Sequence, residues 1–169
     1  IFTVPALGGR EKRLATIGYE PQWTPNGSQI LFVVRPLLEN ASMVVPPIYL
    51  VGVDGSPPTR ILEEVLARFQ DVGSIALHPD GQRITFLGRA ETEGGFWSVP
   101  LAGGAPVRVK YSDKVLAGLK ESDVHGHVYE WARSGDALFL EGNSKGVMNL
   151  WRVGVDPTTL DWVSGPERL

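Results

Sequence analysis

Cysteine is absent from the 169-residue chain, which excludes disulfides, thiolate zinc sites and cysteine nucleophiles. No apolar run approaches the roughly 20 residues of a membrane helix, and no charged-then-apolar leader opens the chain, so no membrane insertion is expected. Neither sign of charge dominates. Sixteen Lys+Arg stand against nineteen Asp+Glu, a net charge of −3, interspersed along both halves. A nucleic-acid partner wants a concentrated basic stripe, and none is present. Gly-rich phosphate loops, Cys/His zinc spacings and paired catalytic carboxylates are likewise missing. What the chain has in quantity is turn formers, 20 Gly and 13 Pro, close to a fifth of all residues. Its 18.4 kDa suits one domain or a piece of one, and a chain this long buries roughly two-thirds of its unfolded surface. It begins at Ile1 rather than Met, which reads as an excised or processed fragment.

An internal repeat organises the sequence. Trp23-Thr24-Pro25-Asn26-Gly27, Leu77-His78-Pro79-Asp80-Gly81 and Trp131-Ala132-Arg133-Ser134-Gly135 align, with their glycines spaced by 54 residues both times. Each leads into a β-type run: Ile30-Leu31-Phe32-Val33-Val34, Ile84-Thr85-Phe86-Leu87 and Ala137-Leu138-Phe139-Leu140. A second element follows as Ile48-Tyr49-Leu50-Val51, Phe96-Trp97-Ser98-Val99 and Leu150-Trp151-Arg152-Val153, and Ile1-Phe2-Thr3-Val4 opens the chain with the same pattern. Gly8-Gly9, Asp54-Gly55, Gly103-Gly104 and Asp156-Pro157 then supply turns before a last short strand.

Asn-Gly and Asp-Gly between apolar runs are tight-hairpin signals, because both residues tolerate positive φ. The repeat therefore reads as a four-stranded antiparallel unit. One such sheet cannot bury its own faces, and radial stacking of several gives a β-propeller. The expected fold is all-β: three four-stranded blades plus half of a preceding one. The boundaries are 1–15 for the second half of a preceding blade, 16–62 and 63–109 for two blades, and 110–169 for a blade with an N-terminal insertion, all one propeller domain. Fourteen strands fall short of the sixteen that four closed blades need, so the expectation is a part of a propeller of about six to eight blades.

The pattern aromatic-x-Pro-Asp-Gly, then Ile-x-Phe, then Leu-Trp-x-Val with Gly-Gly resembles the TolB-like, WD-type propeller repeat of bacterial proteins. Asn26 in place of Asp, and Ser134-Gly135-Asp136 in place of Pro-Asp-Gly, depart from it, although each still supplies a turn. The resemblance implies a bacterial, extracytoplasmic (periplasmic) protein-binding scaffold. It is similar as well to propellers attached to winged-helix regulators and Ser/Thr kinases. The motif is specific for fold and nearly silent on activity.

Three stretches fall outside the repeat. Residues 62–69 carry one apolar helical face and read as a short helix or an inter-blade linker. Residues 110–124 read as a long polar loop at a propeller face, where partners dock. Residues 35–47 form a Pro-rich insertion. Asp123, His125 and His127 alternate, so on an innermost strand all three would point to one face, lining the channel as a ligand-binding group. Two imidazoles and a carboxylate are half of a metal site, but other blades show no matching ligands, and no metal or cofactor is expected. Gly142-Asn143-Ser144-Lys145-Gly146 satisfies a nucleophile-elbow pattern, which works only on a strained strand-to-helix turn. Here it joins two strands and reads as a hairpin turn. Four of the five Trp fall at repeat positions and read as blade packing, with Trp162 the freest. Asn26-Gly27-Ser28 and Asn40-Ala41-Ser42 match the glycosylation sequon, a pattern common by chance.

No residue is assigned a catalytic role. The expected function is a non-catalytic scaffold or sensor that binds a protein or small ligand through a loop face or the channel, with self-association completing the ring. The alternative is the substrate-gating propeller of a prolyl-oligopeptidase- or tricorn-type peptidase. A weaker third reading is a lyase or hydrolase using His125 and His127 in the channel.

Overall fold

The repeated glycines stand where the chain reverses. Gly27, Gly81 and Gly135 have φ of 68°, 68° and 76°, backbone that residues with a Cβ adopt at a cost. Each donates its N–H three residues back, to Thr24, His78 and Ala132 at 2.8, 2.9 and 2.9 Å. The structure, a computed structural model, describes residues 1–35, 45–91 and 93–169, with backbone alone at 125–127. Most of the Pro-rich insertion and the Asn40-Ala41-Ser42 sequon lie outside the described residues.

Every sheet is antiparallel and follows chain order. A two-stranded sheet of β1 (Phe2–Thr3) and β2 (Lys12–Arg13) comes first. The first complete blade is β3 (Tyr19–Trp23), β4 (Gln29–Val33), β5 (Ile48–Gly52) and β6 (Thr59–Ile61). The second is β7 (Phe69–Leu77), β8 (Arg83–Ala90), β9 (Glu93–Pro100) and β10 (Val107–Arg108). The third is β11 (His125–Trp131), β12 (Ala137–Ser144), β13 (Val147–Val155) and β14 (Trp162–Arg168). Among the described residues two helices interrupt the pattern, α1 (Glu63–Leu66) and α2 (Asp113–Ser122). The chain is thus an all-β partial propeller.

Blade stacking follows from the period of two along each strand. Paired residues Val33↔Ile48 and Leu31↔Leu50 share the forward face of the first blade. They pack on Leu77, Ile84, Phe86 and Trp97 of the second. Phe96 and Leu87 carry the forward face of the second blade onto Tyr129, Leu138, Leu140 and Trp151 of the third. Ile30, Phe32 and Val51 on the rear of the first blade are covered by Ile1, Leu14 and Ala15. Ile84, Phe86 and Phe96 are completely buried, and each such side chain contributes roughly 1.5–3 kcal/mol.

Two expectations need correction. Residues 110–124 are not an open loop, because Asp113–Ser122 is helical, with the Ser112 side chain accepting from the Val115 N–H. Val115 is fully buried and anchors this helix in the core shared by the second and third blades. Trp162 is not free. It is 3% exposed and meets Tyr111 edge-on at 4.8 Å and Phe96 at a tilt at 5.4 Å. The freely exposed indole is that of Trp23, at 55%.

Candidate functional site

The first strands of the three blades, β3, β7 and β11, each stand at one end of their sheet and share one groove. All three carry a register shift: between Tyr19 and Gln22 and between Gly73 and Ala76, at the same point of the repeat, and slightly earlier in β11, between Gly126 and Val128. Glu20 and Ser74, 54 positions apart, both sit in left-handed backbone, at φ 53° and 51°. A non-glycine residue held there costs about 1–3 kcal/mol. Such bulges bend a strand and re-aim its side chains. Here they recur on the strands that line the groove.

The groove encloses about 500 Å³. Its charged side is the Glu20–Arg35 pair, in which the guanidinium donates to Glu20 Oε1 at 2.8 and 3.2 Å. Glu130 of the third blade, exposed, is also at the groove. Pro21, Ile75, Pro79, Val128 and Trp131 provide apolar wall. Gln22 ties two blades together: its Nε2 donates to the Ile75 carbonyl at 2.7 Å, and its Oε1 accepts from the Leu77 N–H at 2.7 Å. The blade turns hold the far side. Trp131 Nε1 donates to Thr85 Oγ1 at 2.9 Å, and its ring meets His78 edge-on at 4.5 Å. His78 Nδ1 accepts from the Asp80 N–H at 3.2 Å, while its ring lies 3.3 Å from where a Cβ on Gly135 would stand.

Ionisation follows these contacts. Burial raises the Tyr129 phenol to about 12, with Tyr111 adding to the effect, and burial raises Tyr111 too. Partial burial of Asp80 works against its charge. The Gln82 N–H, His78 and Arg83 outweigh that, and the carboxyl ends below its ordinary value.

Asp123 does not continue the strand. It caps α2 in left-handed backbone, φ 51°, two residues before β11 begins. The alternation expected of Asp123, His125 and His127 is therefore broken, and His127 falls at the register shift of β11. The side chains of His125 and His127 lie outside the described residues. Among the described residues no cluster of three metal-ligating side chains forms.

The Gly142–Gly146 stretch is a two-residue hairpin. Ser144 pairs with Val147, and Lys145 and Gly146 take φ of 52° and 82°, as a tight primed turn requires. Ser144 Oγ donates to the Ser122 carbonyl at the end of α2. The sequence reading missed Gln22, Glu20 and Arg35. The 54-residue spacing of Glu20 and Ser74 was visible, but nothing in the residue types announced a bulge.

No family model and no curated protein matches the chain. Solved structures do resemble it. TolB from Acinetobacter baumannii aligns with a TM-score of 0.60 at 15% identity, over 97% of this chain and 37% of that one. A TolB-type structure from Agrobacterium tumefaciens gives 0.47 at 17% identity, over 85% of this chain and 44% of its own. A puromycin hydrolase gives 0.46 at 16% identity, over 94% and 25%. The chain spans less than half the length of each. The likeness at 0.60 is one of fold, and it agrees with the repeat: three and a half blades of a β-propeller. Among the described residues no helix is long and apolar enough to cross a membrane.

Proposed function

We propose that this chain is a non-catalytic binding module, and that the groove between β3, β7 and β11 receives an extended segment of a partner protein. The recurrent bulge carries the reading. It falls at the same point of β3 and β7, each holding a non-glycine residue in left-handed backbone at the groove, and β11 carries a shift of its own nearby. Backbone strain repeated at one place is expected where a surface is shaped for contact. The chemistry suits a peptide: an apolar wall for side chains, the Glu20–Arg35 pair and Glu130 for charges, and first strands with one edge outside their own sheet. His125 and His127 belong to this proposal as residues of a groove-lining strand. A periplasmic address belongs to it too, carried by the TolB likeness.

The test is a displayed random-peptide library panned on the chain, with Arg35→Glu and Trp131→Ala variants as counter-screens. Enriched peptides should bind the native chain and lose at least about tenfold in affinity on either variant, as truncation of a central contact does. Peptides indifferent to both substitutions would contradict the assignment.

A further inference from the structure

In each complete blade the fourth strand sets an arginine opposite an aromatic of the third: Arg60 opposite Tyr49, Arg108 opposite Trp97, Arg168 opposite Trp151. The first two arginines have carboxylate partners. Arg60 meets Glu63 at 2.9 Å, and Arg108 meets Glu93 at 3.3 Å while donating to the Gly94 carbonyl at 2.9 Å. The second and third blades match at this corner residue by residue, 54 positions apart. Trp97 and Trp151 donate from Nε1 to the Gly88 and Gly142 carbonyls. Ala90 pairs with Glu93 as Ser144 pairs with Val147, and Glu91 and Lys145 turn the hairpins at φ 51° and 52°. Two of these matches change the charge. Val147 stands where Glu93 holds Arg108, and Lys145 stands in place of Glu91. Among the described residues neither Arg168 nor Lys145 has an ion-pair partner.

A cavity of about 360 Å³ opens at this corner, lined by Arg168, Lys145, Val147, Asn149, Trp151 and the end of α2 at Ser122. It shares no lining residue with the groove. Val147, Asn149 and Trp151 alternate along β13 on one face, and Trp151 packs there into the core shared with the second blade. The cavity therefore lies on the side turned to elements already within the chain. In the second blade the Arg108 guanidinium lies 2.9 Å from where a Cβ on Gly95 would stand. Asn149 fills that space in the third blade, so Arg168 cannot lie back on its strand in the same way. No carboxylate lines the cavity. Glu167 belongs to the opposite face, paired with Arg152. Glu121 and Asp123 stand exposed at the end of α2, which is also the negative pole of that helix. The Ser144 hydroxyl covers the Ser122 carbonyl there, and the wall itself carries two positive charges and no negative one.

We propose that this corner of the third blade binds a small organic acid, whose carboxylate takes the place that Glu93 fills beside Arg108. The precedent is internal, since a carboxylate meets the equivalent arginine in both other blades. Arg168 supplies the planar N–H donors that match a carboxylate, and Lys145 adds a second positive charge. Asn149 donates to the Val147 carbonyl at 2.9 Å, and its amide has a second N–H to offer. The volume lies within the roughly 300–1,000 Å³ of small-molecule sites. This site is separate from the peptide groove, and neither assignment depends on the other.

Thermal melts with acetate, succinate, glucuronate or inorganic phosphate at matched ionic strength test this. At least one carboxylate, titrated from about 0.1 to 50 mM, should raise the melting temperature in a saturable way, with a smaller effect in high salt. Amide shifts in NMR spectra of the same titration should centre on Ser122, Lys145 and Arg168. Arg168→Gln should weaken binding at least about tenfold, as loss of a hydrogen bond to a charged group does. Val147→Glu supplies from within the carboxylate that the second blade has. Val147 is 58% exposed, so this variant should keep the native circular dichroism, and its own side chain should abolish the response. A carboxylate response that survives both substitutions would overturn the proposal. So would the lack of a saturable response to every carboxylate, and a response to phosphate alone would overturn the ligand class.

Discussion

Gln22 joins the first two blades through one side chain, and its replacement separates two kinds of loss. Both of its hydrogen bonds are 2.7 Å long and reach main-chain groups of β7. A hydrogen bond of this sort contributes about 0.5–1.5 kcal/mol net of water. Gln22→Ala opens the site to the groove, where water can bond the Ile75 carbonyl and the Leu77 N–H. The expected destabilisation is about 1–3 kcal/mol. Gln22→Met keeps the length of the side chain but keeps water out, and leaves both groups unpaired at about 1–3 kcal/mol each. The better shape match should therefore be the more damaging change. Urea unfolding with an unchanged slope measures the difference, and faster amide exchange at Leu77 locates it. Equal midpoints for the two variants, or a loss below about 0.5 kcal/mol in both, would refute the bridging role.

Four further outcomes are expected. Trp97→Ala removes a side chain only 8% exposed between two blades, together with its bond to the Gly88 carbonyl at 3.1 Å; a loss of about 3–5 kcal/mol in a denaturant melt is expected. Tyr129 is protonated more tightly in the fold, at about 12, than in the unfolded chain, where its pKa is about 10. Its contribution is complete below pH 10 and lost as pH rises from about 10 to about 12, a fall that Tyr129→Phe should flatten in urea melts across that range. Ser144→Ala should cost about 0.5–1.5 kcal/mol for its bond to Ser122, and a fluorophosphonate probe should leave Ser144 unlabelled. Calorimetric titration with zinc at neutral pH should show no micromolar site that disappears in His127→Ala.

The architecture was legible because turns and packing leave periodic marks in sequence. Glycines at 27, 81 and 135 mark left-handed turns that only small residues fill cheaply. The aromatic at 49, 97 and 151 marks the side chain wedged between neighbouring blades. The helix at Asp113–Ser122 was hidden because most of its surface is polar and Val115 is its one fully buried residue. Its cap, Ser112, was nonetheless a readable signal. Trp162 looked free because it stands outside the repeat, yet irregular position says nothing about burial. The groove was least legible, since Gln22, Glu20 and Ser74 earn their roles from a bulge and from a neighbouring blade rather than from residue type. For the same reason a period-two reading placed Asp123 on a strand that had not yet begun.

Amide exchange of the chain, alone and saturated with a groove-selected peptide, tests the binding assignment most directly. Protection should concentrate on the three first strands, Tyr19–Trp23, Phe69–Leu77 and His125–Trp131. Protection confined instead to the outermost strands, Thr59–Ile61, Val107–Arg108 and Trp162–Arg168, would contradict it.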